Sequence, residues 1–149
     1  MTTRSAVDDF LTQERLAVVG VSRSGKGFGY AAWRALTRKG YNVLPVNPGA
    51  GTIDGAHCYA SVAELPPGVA GLLIVVPPDR TEQVVREAAA AGIRRVWMQQ
   101  GAESEDALQF CHDHGIEAVA RECILMFAQP QGFHKIHRWC RGALGKLPQ

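Results

Sequence analysis

Short apolar runs alternate with segments of helical periodicity along this chain, and the alternation restricts the possible folds more than any other feature. The runs occupy residues 16–21, 41–46, 71–76, 93–98 and 116–120. The third run, GLLIVV, contains no polar side chain, which is typical of a strand buried on both faces of a parallel sheet. Helices that connect parallel strands make right-handed crossovers. The sequence therefore predicts an α/β fold with a Rossmann-like, doubly wound, five-stranded parallel sheet.

The segments between the runs predict the helices. Apolar residues recur at helical spacing in residues 7–14, 30–39, 79–91 and 103–114, and again in a closing helix at 132–145. Asp79 is expected to cap the third helix, because its carboxylate can accept hydrogen bonds from the first turn. A short extended piece is expected at 53–59, and a turn of helix at 61–64. The 149 residues contain no repeat or linker, so a single domain is predicted for 1–149, with its core at 15–123.

Charge and hydropathy disfavour two classes of partner. The formal net charge is +2, which is too small to favour nucleic acid. No apolar run approaches the roughly 20 residues that cross a bilayer, and the polar N-terminal sequence MTTRSAVDDF does not resemble a signal peptide. The four cysteines are widely spaced, as is usual for reduced thiols rather than a disulfide framework. We therefore expect a cytoplasmic protein with no nucleic-acid or membrane partner.

The first apolar run leads into a glycine-rich loop that can bind phosphate. Residues 16–29 read LAVVGVSRSGKGFG, an apolar strand, a loop with two cations, and the start of a helix. Unpaired backbone N–H groups at the first turn of a helix point at an anion, and the helix dipole favours negative charge there. Arg23 and Lys26 lie between the glycines of this turn. The loop is therefore predicted to bind a phosphorylated ligand.

Two features argue against a nicotinamide cofactor. The loop is longer than the compact G-x-G-x-x-G fingerprint, and the second strand ends in Val46-Asn47-Pro48. A carboxylate is expected at that strand end when a ribose 2′-hydroxyl is held, and this chain has none. A small NAD(H)-binding oxidoreductase or redox sensor is thus the alternative rather than the favoured interpretation.

The other strand ends supply further candidate residues. In a doubly wound sheet the ligand binds at the carboxyl ends of the strands, near the point where the strand order reverses. The segments at those ends are Ser22 to Lys26, Asn47-Pro48, Pro77-Pro78, Gln99-Gln100-Gly101 and Arg121-Glu122-Cys123. Glycine, proline, amide and cationic residues therefore surround the predicted cleft. The side-chain amides of the two glutamines can form hydrogen bonds with either an adenine edge or a pantetheine amide.

An ordered series of motifs resembles a known family. VVGVSRSGKGFG, GYNVLPVNPG, VPP, WMQQGA and REC are similar to the small stand-alone CoA-binding proteins and to the N-terminal CoA-binding domain of the succinyl-CoA synthetase α subunit. The resemblance implies a Rossmann-type domain that holds CoA or acyl-CoA in an extended groove across the strand ends. It covers a binding domain only, so we expect binding, with a carrier, sensor or regulatory role, and no catalytic residues.

The resemblance also implies which residues contact CoA. In the glycine loop, Gly20, Ser22, Arg23 and Lys26 would meet the phosphates, and the cofactor-binding set also includes Val21, Ser24, Phe28 and Gly29. Asn47 and Pro48 would line the nucleotide pocket. The remaining members would pack beside the adenine or the pantetheine arm: Val76, Pro77, Pro78, Met98, Gln99, Gln100 and Gly101. Ala50 replaces a lysine of the synthetase loop, which leaves the 3′-phosphate to Arg23 or Lys26.

Four further points concern metal binding, Cys123, the absence of a ligand and the oligomeric state. His134, His137 and Cys140 have helical spacing, but the neighbouring cations oppose a metal ion, so we predict no metal site. Cys123 follows the fifth strand and is interpreted either as a buried small residue or as a thiol that forms a mixed disulfide with CoA. The chain could also be a scaffold with no nucleotide affinity. A homodimer is compatible with the sequence, which does not determine the oligomeric state.

Overall fold

A five-stranded parallel sheet forms the centre of the molecule. The computed structural model describes residues 3–49 and 51–128, and strands in these residues are numbered along the chain: β1 Leu16–Val19, β2 Val43–Val46, β3 Gly51–Ile53, β4 Ala56–Cys58, β5 Gly71–Ile74, β6 Arg95–Gln99 and β7 Glu117–Glu122. The sheet order is β2-β1-β5-β6-β7, with every neighbouring pair parallel. The predicted α/β, Rossmann-like, doubly wound fold is confirmed.

Helices cover both faces of this sheet. They are α1 Arg4–Leu11, α2 Gly27–Arg38, α3 Pro78–Ala90 and α4 Glu105–Asp113, with 3₁₀ turns at Val62–Glu64 and Ile124–Met126. Each of the first two begins three residues before its predicted start. The Thr3 side chain caps α1 by accepting from the Ala6 N–H at 3.1 Å. Helix formation therefore extends into the predicted glycine loop, because α2 already begins at Gly27.

The prediction that Asp79 caps the third helix is wrong. Pro77 is the N-cap of α3 and Pro78 occupies the first helical position. A proline suits that position because its φ angle is already helical and no N–H is needed there. Asp79 instead lies within the first turn, where its negative charge is favoured by the helix dipole.

Side chains alternate between two apolar layers. Val18, Leu73, Trp97 and Val119 point to one face and pack with α1 and α2. Their neighbours Ala17, Leu72, Val96 and Ala120 point to the other face and pack with α3 and α4. Strand geometry explains this, since successive side chains face opposite sides of a sheet. The ring centroids of Phe10 and Trp97 lie 5.5 Å apart in an edge-on arrangement, which fixes α1 against β6.

The strand order reverses between β1 and β5. The strand that follows β1 along the chain, β2, lies at one edge of the sheet, whereas β6 and β7, which follow β5, extend to the other edge. Gly20 N–H donates to Val46 O at 3.1 Å and Val75 N–H donates to Val19 O at 2.9 Å. These bonds hold the three strand ends together just beyond the sheet. The predicted extended piece at 53–59 forms part of the antiparallel β3–β4 hairpin. The predicted helix at 132–145 lies outside the described residues.

In the described part of the chain, every helix is too short or too polar to cross a bilayer.

Candidate functional site

Two glycines allow β1, α2 and the loop after β5 to meet. Gly20 has a φ of +108°, and a Cβ at this position would lie 2.0 Å from the Val75 carbonyl oxygen. A Cβ on Gly29 would lie 2.1 Å from the Gly20 carbonyl oxygen. Both distances are far below van der Waals contact with backbone atoms, which cannot move away as a flexible side chain can. Only glycine therefore lets the first turn of α2 pack directly on the end of β1.

The start of α2 has the features of an anion site. Its N-cap is Lys26, in extended conformation, and no side chain caps the first turn. Before it, Ser24 N–H donates to Ser22 Oγ at 3.2 Å, and the two hydroxyls are 2.7 Å apart. Backbone N–H groups, two hydroxyls and a cation thus lie together at a helix N-terminus, the arrangement that favours phosphate.

Arg23 and Asn47 join the turn after β2 to this loop. Asn47 Nδ2 donates to Val21 O at 2.7 Å, and its Oδ1 accepts from Gly49 N–H at 2.7 Å. The Arg23 guanidinium donates to the Gly49 carbonyl oxygen. These polar groups are thus engaged within the protein. Both residues therefore help to fix the shape of the site, and their predicted contacts with a ligand stay predictions.

The first cleft, cleft A, has a volume of about 510 Å³ and lies between the ends of β1, β2 and β5 and the helix α3. Its inner surface is apolar, formed by Val19, Val46, Val62, Val76 and Val84. Its rim carries the predicted residues Gly20, Asn47, Pro48 and Pro77, together with Ser61.

Helix α3 adds polar residues to cleft A that sequence analysis did not predict: Asp79, Arg80, Gln83 and Glu87. Arg80, Gln83 and Glu87 recur at helical spacing, so they form one stripe of the helix. That spacing is visible in the sequence. Which face of α3 is directed towards the strand ends could not be predicted from it.

The second cleft, cleft B, has a volume of about 490 Å³ and lies on the other side of the loop after β5. It is lined by Phe28, Val75, Val76, Pro77, Gln99, Gln100, Gly101, Ala102 and Cys123. Phe28 is a large apolar residue with 38% exposure, and it forms one wall. Val75, Val76 and Pro77 also line cleft A, so the two clefts share the loop after β5 as a wall, and the pair is called the groove below.

Several predicted site residues lie beside the groove rather than in it. Met98 is fully buried in the layer under α3 and α4, and Val21 is fully buried on the opposite face. Pro78 lies in the first turn of α3. These three line neither cleft, so any contact they make with a ligand stays a prediction. Ser22, Arg23, Ser24 and Lys26 lie in the loop before α2 and line neither cleft.

The described cysteines differ in their surroundings. Cys58 and Cys111 are fully buried, and burial raises the pKa of Cys111 to about 11. Burial also raises the pKa of Cys58. Cys123 is half-buried and lines cleft B, so it is the thiol of these three that a ligand can approach. Residues 3–49 and 51–128 contain no group of three potential metal ligands, and His134, His137 and Cys140 lie outside them.

The groove and its glycine loop match a family of known proteins. A family model described as a CoA binding domain matches residues 14–129, which include all five sheet strands. The chain belongs to the CoA-binding domain family. The predicted resemblance is thereby confirmed, and the matched segment contains both clefts.

Individual relatives agree with this assignment. The chain is 27% identical over 129 residues to the α subunit of an ADP-forming acetate–CoA ligase II from Pyrococcus furiosus, a match that covers 79% of this chain and 28% of that subunit. It therefore spans less than a third of that relative's length. It is 32% identical to the Bacillus subtilis protein YneT over 74% of this chain and 82% of that protein.

A solved structure shows the same fold in a small protein. A conserved hypothetical protein from Pyrococcus furiosus superposes with a TM-score of 0.72 at 40% identity, covering 76% of this chain and 97% of that one. About three quarters of this chain thus has the same fold as nearly the whole of that protein.

Proposed function

We propose that this protein binds coenzyme A or an acyl-CoA in the groove formed by clefts A and B. The observation that carries the proposal is that clefts A and B share Val75, Val76 and Pro77 as a wall, with Phe28 of the first turn of α2 lining cleft B. CoA is an elongated ligand with a nucleotide at one end, a pyrophosphate in the middle and a pantetheine arm at the other. Two adjoining clefts beside a glycine loop and a helix N-terminus suit that order of groups. Membership of the CoA-binding domain family supports the same ligand.

In the proposed pose, the pyrophosphate lies at the first turn of α2, near Ser22 and Lys26. The nucleotide occupies cleft A, and the pantetheine arm crosses Pro77 into cleft B. Arg80 is the cation that lines cleft A, and it forms no salt bridge with a described residue. It is therefore a candidate for the 3′-phosphate beside Arg23 and Lys26. The guanidinium of Arg23 already donates to Gly49.

The proposed role is that of a binding module, acting as a carrier, sensor or regulator of acyl-CoA use. We place it in the cytoplasm, where the free thiols of Cys58, Cys111 and Cys123 stay reduced. An NAD(H)-binding function is less well supported, because the end of β2 presents Asn47 with its amide engaged and no carboxylate for a ribose diol.

Isothermal titration calorimetry with CoA, acetyl-CoA, dephospho-CoA, NAD and ATP tests the proposal. We expect saturable binding of CoA or acetyl-CoA at one site, and weaker binding of dephospho-CoA and NAD. A ligand present at about 100 times its Kd adds roughly 2.7 kcal/mol to the free energy of unfolding, so a thermal shift should follow the same order. Binding of NAD without binding of CoA would contradict the proposal and support the alternative function. Binding of none of these ligands would favour the scaffold interpretation.

A second readout locates the ligand. Alkylation of Cys123 by iodoacetamide, followed by peptide mass spectrometry, should slow in the presence of CoA if the pantetheine arm fills cleft B. Unchanged alkylation at saturating CoA would place the arm elsewhere. Cys58 and Cys111 serve as internal references, because both are fully buried and their raised pKa values keep them protonated.

A further inference from the structure

Gln99 ends β6 at an irregular place in the sheet. The pairing of β6 with β7 shifts register between Met98 and Gln99, so that Gln99 is paired with Glu122. The skipped residue, Arg121, has a φ of +62°. Such a bulge re-aims the side chains on either side of it. Here it accompanies a glutamine that is only 6% exposed although it lies at the edge of a cleft.

The orientation of this buried amide is fixed by one hydrogen bond. Gln99 Oε1 accepts from the backbone N–H of Ile124 at 3.1 Å, in a buried position. A backbone N–H can only donate, so the oxygen of the amide must lie at this end. The Nε2 group therefore lies at the other end, and its two N–H donors point away from Ile124.

No protein acceptor receives these donors within residues 3–49 and 51–128. The buried side-chain atoms that lack a hydrogen bond in this part of the protein belong to Arg4 and Asp8, which form an ion pair with each other. The Nε2 of Gln99 is not among them, although the residue itself is nearly buried. Since Gln99 lines cleft B, its free donors open into that cleft.

The surroundings indicate which acceptor these donors suit. None of the described residues lining cleft B carries a charge, and most are apolar. A ligand that fills this cleft displaces water from the Gln99 donors and must replace the hydrogen bonds of that water. A neutral carbonyl oxygen satisfies the donors without burying a charge. A carboxylate or phosphate would have to leave water with no cation in the cleft to compensate.

We propose that Gln99 Nε2 donates to a carbonyl oxygen of the pantetheine–thioester arm, and that this contact sets the preference of cleft B for its ligand. The inference rests on the proposed function, since it assigns the arm to cleft B. Two parts of the ligand offer the same chemistry, a pantetheine amide and the thioester of an acyl-CoA. Both are neutral carbonyls, and only the second requires an acyl group.

The substitution Gln99→Glu removes the side-chain N–H donors of residue 99 and keeps the oxygen that accepts from Ile124. A glutamate keeps an oxygen for the Ile124 N–H and nearly the same volume, but its ionised form has no donor for the ligand. We expect calorimetry to show that acetyl-CoA binds at least about tenfold more weakly than to the wild type at pH 8, and that CoA is weakened equally if the acceptor is a pantetheine amide. Gln99→Met removes donor and acceptor together, and it should bind no better than Gln99→Glu.

Lowering the pH provides a rescue that a merely structural role would not show. A protonated glutamate regains one O–H donor. The affinity of Gln99→Glu, expressed as a ratio to the wild type at each pH, should therefore rise as the pH falls from 8 towards 4, where a carboxyl group becomes protonated. The ratio for Gln99→Met should stay constant. Equal losses of CoA and acetyl-CoA would identify a pantetheine amide, and a loss confined to acetyl-CoA would identify the thioester.

A measurement on the wild-type protein does not depend on the folding of any variant. In ¹⁵N-labelled protein, the side-chain N–H₂ resonances of Gln99 should shift when CoA or acetyl-CoA is added. Resonances that do not move at saturation would overturn the inference, as would wild-type affinity in Gln99→Glu. In both cases the proposed CoA binding itself would stand. If the wild type binds neither ligand, the proposed function and this inference fail together.

Discussion

At the scale of single residues, the site depends on backbone positions that tolerate no side chain. Gly29 contacts the Gly20 carbonyl so closely that a Cβ would overlap it, although the residue itself lies in a regular helix. The N–H groups that face the proposed pyrophosphate belong to the same turn. Displacing this turn therefore changes the anion site directly, without removing a charge or a hydroxyl.

We predict that Gly29→Ala weakens CoA binding at least about tenfold and lowers the free energy of unfolding by about 1–3 kcal/mol, as overpacking of a tight contact does. Calorimetry and urea denaturation measure the two effects. Gly92→Ala is the matched control. Gly92 ends α3 with a φ of +79° and open space around it, so its substitution strains the backbone far from the groove. The control should lose stability and keep its affinity for CoA. Equal affinities of both variants and the wild type for CoA would show that the first turn of α2 is not part of the anion site.

At the scale of elements, α3 shows what sequence patterns can and cannot predict. The alternation of strands and helices was readable because burial imposes different spacings on each. The glycine loop and the segments at the strand ends were also readable, because parallel strands bring their carboxyl ends to one edge. The rotation of α3 about its axis was not, since it depends on how Thr81, Val85 and Ala88 pack into the layer beneath. That rotation brings Arg80 to cleft A, and no motif marks it.

Buried polar contacts were equally hidden from the sequence. The sequence predicts Gln99 at the end of a strand, but its side-chain hydrogen bond with the Ile124 N–H joins residues 25 positions apart. The engagement of Asn47 with Val21 similarly spans 26 positions. Such pairings follow from the three-dimensional arrangement of loops, so residue type alone could not separate ligand contacts from residues that fix the site.

We predict that Arg80→Ala weakens CoA binding about five- to tenfold while changing dephospho-CoA binding less than about twofold. The reason is that the proposed partner of the Arg80 guanidinium is the 3′-phosphate, which CoA carries and dephospho-CoA lacks. Arg80→Lys should restore part of the difference. Arg86→Ala is the control on the same helix, since Arg86 pairs with Glu82 at 2.6 Å and stacks over Phe110, neither of which lines cleft A. An equal loss for both ligands would place Arg80 at the pyrophosphate, and no loss would exclude it from the site.

At the scale of the whole molecule, the groove is held by a sheet that is covered on both faces. The layer under α3 and α4 includes Cys111, which is 1% exposed. Burial in this layer raises its pKa from 9.0 to about 11, because the thiolate would lose its hydration. Below pH 9 the thiol is protonated in both the folded and the unfolded protein, so its contribution to stability is fully present there. As the pH rises from 9 towards 11 the unfolded state ionises first, and that contribution is lost.

We therefore predict that the free energy of unfolding falls more steeply between pH 9 and pH 11 in the wild type than in Cys111→Ala. The difference in slope should be at most about 1.4 kcal/mol per pH unit, the value for one proton. Urea denaturation at several pH values measures it. Val85→Ala is the control, because Val85 is fully buried in the same layer and does not ionise. It should lower stability at every pH and keep the wild-type slope. Parallel curves for all three proteins would show that Cys111 ionises in the folded state as readily as in the unfolded chain, and that this layer is open to water.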